Sequence, residues 1–106
     1  MNKLQEKVDR VINHFGGYWK PLEMFAALVE EVGELGRELN DLYGPKTKKK
    51  TTKGLELEFG DVLYALICIA NKEGINIEEA LNQSLTKALE RDKDRFNKVI
   101  KSKKID

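Results

Sequence analysis

The sequence predicts an all-α fold, an antiparallel helical bundle of four main helices completed by homo-oligomerisation, and three observations carry that expectation. Apolar residues recur at helical spacing along most of the chain, and no segment requires a strand. Both prolines, Pro21 and Pro45, fall where the helical pattern breaks. Residues 62–70, VLYALICIA, are uncharged throughout, so the helix that contains them is apolar nearly all the way round and needs cover on most sides. Three other helices in a chain of 106 residues can hardly supply that cover, which points to a second copy packed against it about a two-fold axis.

The elements follow in order. Leu4, Val8, Val11, Ile12 and Phe15 mark a first helix that the pair Gly16 and Gly17 ends, with Tyr18, Trp19 and Lys20 as connector. Pro21 suits a helix start, and the second helix is expected from about Leu22 to Tyr43, with Phe25, Val29, Val32, Gly36, Leu39 and Tyr43 as its packed face. Gly44 and Pro45 stop it. Residues 44–54, GPKTKKKTTKG, are basic and glycine-bounded, and read as a mobile surface loop. A third helix spans about Leu55 to Lys72. After Gly74, Asn76 with Glu79 three residues on forms a capping-box-like start for a last helix reaching about Ile100, with KSKKID fraying beyond it.

At this length one domain, residues 1–106, is expected, burying roughly two thirds of the surface of the unfolded chain. Nineteen basic against eighteen acidic residues leave a net charge of +1, which excludes a global field favouring nucleic acid or membrane. Cys68, the only cysteine, lies in the apolar run and behaves there as a small hydrophobe. No stretch approaches the ~20 apolar residues that span a bilayer, and a cytoplasmic protein is expected.

The chemistry lies in the carboxylates. Solvated helices commonly pair Glu with Lys or Arg three or four residues away. Here Glu30 has Glu34 at i+4, Glu34 has Glu38, and only Arg37 offers help, at i+3 of Glu34. The third helix repeats the pattern: Glu58 and Asp61 lie three apart with no cation three or four residues from either. A single Glu-x-x-Glu is ordinarily a solvated face, and Glu38 is read as a solvated residue. Two uncompensated pairs on successive antiparallel helices are rarer, and an external cation would supply what is missing. An all-oxygen set favours a hard divalent ion, Mg2+ or Mn2+, over zinc or copper. Gly33, Gly36 and Gly60 each disfavour a helix interior by up to ~1 kcal/mol relative to Ala, and serve either close approach around metal and ligand or tight helix packing.

With EEVGE at 30–34 and EFGD at 58–61, the sequence resembles the MazG-like all-α nucleotide pyrophosphohydrolases, whose hallmark is Glu-Glu-x-x-Glu followed by Glu-x-x-Asp. The similarity runs from Tyr18 to Phe96 and is strongest to the small YpjD-like branch, through KPLEMFAALVEEVGELGRELNDLYGPK, LELEFGDVLYALICIANKEGINIEEAL and RDKDRF. The resemblance implies Mg2+-dependent hydrolysis of a nucleoside triphosphate between the α and β phosphates, giving monophosphate and pyrophosphate, in nucleotide-pool house-cleaning. It implies metal ligands at Glu31, Glu34, Glu58 and Asp61, catalytic roles for Glu30 and Glu34, and a homodimer or dimer of dimers.

Two further groups are candidates for substrate binding. Lys87, Arg91 and Arg95 repeat at i, i+4 and i+8 as a basic stripe that would reach a triphosphate, or pair with Glu90, Asp92 and Asp94. Trp19 precedes the acidic helix, where the resemblance implies groups enclosing the nucleobase; packing is the alternative. The rival function is a non-catalytic helical interaction or nucleic-acid-binding module using Lys46, Lys48, Lys49, Lys50 and Lys53. Nucleic acid is the less expected partner, because Glu31, Glu34, Glu58 and Asp61 would repel phosphates unless a cation were bound.

Overall fold

The computed structural model describes residues 1–103, and within them the chain forms four helices and no strand. Helix α1 spans Lys3–His14, α2 Pro21–Tyr43, α3 Lys53–Lys72 and α4 Ile77–Lys103. Local chemistry sets each boundary. Asn2 and Gln5 close a reciprocal capping box at the start of α1. Gly16 and Gly17, at φ 105° and 99°, reverse the chain at its end, where the Gly17 N–H donates to the Ile12 carbonyl at 2.9 Å. Pro21 opens α2, and Gly74, at φ 69°, lets the chain leave α3. The Asn76 side chain accepts from the Glu79 N–H at 3.1 Å, as the capping pattern predicts. Helix α4 runs past the expected Ile100 to Lys103; the remainder of the KSKKID tail lies outside the described residues.

The core of the chain is the α2–α3 hairpin, with α1 laid against α3. Its seam differs from the expected one. On α2, Met24 is buried and Ala27, Leu28, Leu35 and Leu42 are half-buried, while Phe25, Val29, Val32, Leu39 and Tyr43 are 42–75% exposed. Both stripes are apolar at helical spacing, so periodicity alone does not choose between them. On α3, Ala65, Ile67, Cys68 and Ala70 are buried, whereas Phe59, Leu63 and Leu66 are open. On α1 the fully buried residue is Gln5, and the expected face members Leu4, Val11 and Phe15 are exposed.

Among the described residues, helix α4 packs only sparsely on the rest, and it carries Leu81, Leu85 and Leu89 exposed at i, i+4 and i+8. The molecule is accordingly long, 63 × 40 × 23 Å, with a radius of gyration of 18.8 Å. A compact chain of this length would have about 13 Å. Among the described residues no helix is long and apolar enough to cross a membrane.

Candidate active site

The antiparallel register of α2 and α3 sets carboxylates into seam positions that apolar side chains would ordinarily fill. Glu31 comes from α2, Glu58 and Asp61 from α3, all half-buried, and one carboxylate oxygen of each lies within 4.8 Å of the others. One oxygen of Glu58, Oε2, is shut off from solvent with no hydrogen-bond partner among the described residues. Burial above all, then hydrogen bonding with Glu31 and the charges of Asp61, Glu31 and Glu34, push the Glu58 carboxyl above its ordinary pKa. An orphaned acceptor amid like charges is the condition a cation relieves. The donor set, oxygen only, fits a hard divalent ion rather than a soft one.

The structure brings together three of the four expected ligands. Glu34 lies one turn along α2 from Glu31, close enough to act on Glu58, but its carboxylate is paired with Arg37, the neighbour at i+3. Glu30 is exposed and outside the group. A Cβ on Gly33, Gly36 or Gly60 would meet nothing within 4 Å, so inside a single chain these glycines serve neither tight packing nor a close approach.

Beside the carboxylates opens a cavity of about 540 Å³ between α1, the 15–19 connector, α2 and α3. Glu31 and Asp61 form its acidic wall; Ile12, Phe15, Met24, Ala27 and Ala65 supply apolar lining, and Trp19 stands at it, 66% exposed. Tyr64 and Cys68 complete the wall. Burial raises the pKa of the Cys68 thiol, which keeps it protonated and consistent with a packing role. Tyr64 was not among the expected site residues, although its i+3 spacing from Asp61 already put it on the same face.

The connector is held by a network that the sequence did not announce. The Tyr18 hydroxyl donates to Asp9 at 2.6 Å and accepts from Asn71 Nδ2 at 2.9 Å. Burial, then the bond to Asp9, push its pKa up to about 12, so it remains a donor. Gln5, 1% exposed, donates to Asn71 Oδ1 at 2.9 Å and to the Ile75 carbonyl at 2.7 Å, and accepts from the Ile77 N–H at 2.9 Å. This staple ties α1, the end of α3, the start of α4 and the residue next to Trp19 into one unit.

The basic stripe is placed elsewhere. Lys87, Arg91 and Arg95 are exposed on α4 and do not line the cavity. Arg91 pairs with Asp92 at 3.1 Å and Arg95 with the same carboxylate at 3.6 Å. The lysine-rich loop departs from the expected free surface segment, since it folds back on α2. The Asp41 carbonyl accepts from the N–H groups of Lys48 and Lys49 at 2.8 and 3.1 Å, and the Lys49 ammonium pairs with Glu38 and, at 3.7 Å, with Asp41. Glu38, expected to be solvated, is 5% exposed. A partner eleven residues away left no mark at helical spacing.

Comparison with known proteins places the chain in a family. Residues 20–96 match the model of the MazG nucleotide pyrophosphohydrolase domain. The YpjD protein of Bacillus subtilis strain 168 is 48% identical over 101 residues, which cover 92% of this chain and 91% of that protein. A crystal structure of YpjD from Bacillus subtilis is similar at a TM-score of 0.73 and 47% identity, covering 79% of this chain and 89% of that one. The Bacillus-conserved MazG protein, a nucleotide pyrophosphohydrolase, is similar at a TM-score of 0.73 and 44% identity, over 86% and 90% of the two chains. The chain belongs to the MazG nucleotide pyrophosphohydrolase family.

Proposed function

We propose that this member of the family, acting as one domain over residues 1–106, is a Mg2+-dependent nucleoside triphosphate pyrophosphohydrolase that cleaves between the α and β phosphates, releasing nucleoside monophosphate and pyrophosphate. The observation that carries the reading is the convergence of Glu31, Glu58 and Asp61, with one orphaned Glu58 oxygen, where Glu31 and Asp61 wall a cavity large enough for a nucleoside. Glu31, Glu58 and Asp61 would hold the cation, with Glu34 as a fourth ligand once released from its pair with Arg37. When bound, Mg2+, or Mn2+ in its place, neutralises phosphate charge and acidifies nearby water.

The chain's own groups do the rest. Glu30 and Glu34 orient the attacking water and accept its proton as the α–β bond breaks. Trp19 stacks on the base at the apolar end of the cavity, while Lys87, Arg91 and Arg95 are available to the polyphosphate. In one chain the stripe on α4 stands away from the acids. The outward apolar faces of α2, α3 and α4, together with the three glycines that meet nothing, support a homodimer, or a dimer of dimers, in which a second copy covers them. Removal of surplus or aberrant nucleotides in the cytoplasm is the physiological role that fits such an activity.

The decisive experiment is incubation with Mg2+ and a panel of canonical, deoxy and damaged triphosphates, followed by separation of products. Monophosphate with pyrophosphate is expected. Diphosphate with phosphate would refute the bond assignment, and no turnover with Mg2+ or Mn2+ would refute the enzyme. A monodisperse monomer in light scattering would refute the dimer.

A further inference from the structure

Glu38 and Gly54 stand in a particular relation to the carboxylates. Glu38 is one helical turn beyond Glu34 on α2, and Gly54 one turn before Glu58 on α3. The two meet: a Cβ built on Gly54 would overlap the Glu38 carboxylate, so that carboxylate sits directly against the α3 backbone. Lys49 then closes over it from the loop, held by its own backbone N–H on the Asp41 carbonyl at 3.1 Å. Glu38 is therefore held between the Gly54 backbone and Lys49 while remaining almost fully buried.

An apolar residue would fill this seam position with less desolvation, and a buried ion pair is weak evidence of stabilisation in itself. What such a pair does supply is a defined alignment of the elements it joins. Sliding α3 along α2 would drive the α3 backbone at Gly54 into the Glu38 carboxylate, which Lys49 holds in place from the loop anchored on α2. The same sliding would change the spacing of Glu31 from Glu58 and Asp61.

We propose that Glu38, Lys49 and Gly54 form a register clamp that sets the separation of the Glu31, Glu58 and Asp61 carboxylates, making Lys49 and Glu38 positioning residues for the divalent-cation site. The inference rests on the metal-site reading above. It gives one lysine of the basic loop a task that its neighbours Lys46 and Lys50, exposed in the same segment, do not share.

The test measures Mn2+ affinity of the nucleotide-free protein by electron paramagnetic resonance, at a temperature where circular dichroism shows every variant folded. Lys49→Ala removes a cation from the neighbourhood of an acidic site, so charge alone predicts tighter Mn2+ binding; the clamp predicts binding weaker by about tenfold, as for lost outer-shell support. Gly54→Ala improves intrinsic helix propensity, yet the clamp again predicts weaker binding. Lys49→Arg should restore native affinity, and Lys46→Ala should leave it unweakened. Gln5→Ala, which loosens the staple at the far end of α3, should lower thermal stability without changing Mn2+ affinity, separating positioning from general loosening. Native or tighter affinity in both Lys49→Ala and Gly54→Ala would overturn the clamp while leaving the metal site intact. Absence of Mn2+ binding by the native chain would overturn the metal site and the clamp with it.

Discussion

Two groups of polar side chains are set into the packed face of α3, one near each end. At the C-terminal end, Gln5, Asn71, Tyr18 and Asp9 satisfy one another through bonds of 2.6 to 2.9 Å, and the Gln5 amide also takes up the backbone at Ile75 and Ile77. In the N-terminal half, Glu31, Glu58 and Asp61 crowd within 4.8 Å, and a Glu58 oxygen has no partner among the described residues. The first group is complete within the chain and holds the fold. The second is incomplete, and its incompleteness is what a ligand would remedy. Polar burial alone would not have distinguished them; the state of their hydrogen bonding does.

The sharpest way to break that contrast is to neutralise the incomplete group. Glu58→Gln or Glu34→Gln should lower turnover by about 10²–10³-fold, the scale for removal of one group that stabilises developing charge, with helical content retained; turnover close to native would remove the metal site. Cation binding should then stabilise the native protein and not Asp61→Asn. At a Mg2+ concentration about 100 times its Kd, mass action gives about 2.7 kcal/mol, readable as a rise in Tm. Equal shifts in both proteins would show that Mg2+ acts elsewhere.

In the complete group the sign reverses. Asn71→Ala takes one bond from the Gln5 amide and one from the Tyr18 hydroxyl, and should destabilise by about 2 kcal/mol, lowering Tm by about 10 °C regardless of Mg2+. Trp19, which follows the stapled Tyr18, links the two groups. Trp19→Ala should raise KM about tenfold, the scale of one lost base stack, with kcat nearly unchanged, and an unaltered KM would remove its stacking role. The smallest effect is the most diagnostic: without metal, Glu58→Gln should raise Tm slightly, because it relieves repulsion among Glu31, Glu58 and Asp61. A fall in Tm would mean that Glu58 belongs with the structural group after all.

The sequence disclosed the helices and the acids for reasons that can be stated. Gly16, Gly17 and Gly74, at positive φ, and Pro21, at a helix start, punctuate the chain through backbone geometry that few other residues provide, so the helix boundaries were legible to within a few residues. Glu58 and Asp61 stood out because their missing counter-ions are a local fact. The packed face of α2 was not legible, because Met24, Leu28 and Leu35 compete with Phe25, Val29 and Val32 as equally regular stripes. Gln5 and Glu38 were missed because each is buried through partners 66 and 11 residues away respectively, and helical spacing carries no trace of such partners.

The α2–α3 hairpin has a kinetic consequence. Its two strongest neighbours are adjacent in the chain, and contacts between near neighbours in sequence form early because little loop entropy opposes them. The hairpin is also where the acids meet, so assembling it forces like charges together while little else yet holds them. The site is on this view a brake on folding, and a divalent cation is its release. Refolding from urea should accelerate in Mg2+ and, without metal, in Glu58→Gln; rates insensitive to both would place the meeting of the acids after the barrier rather than before it.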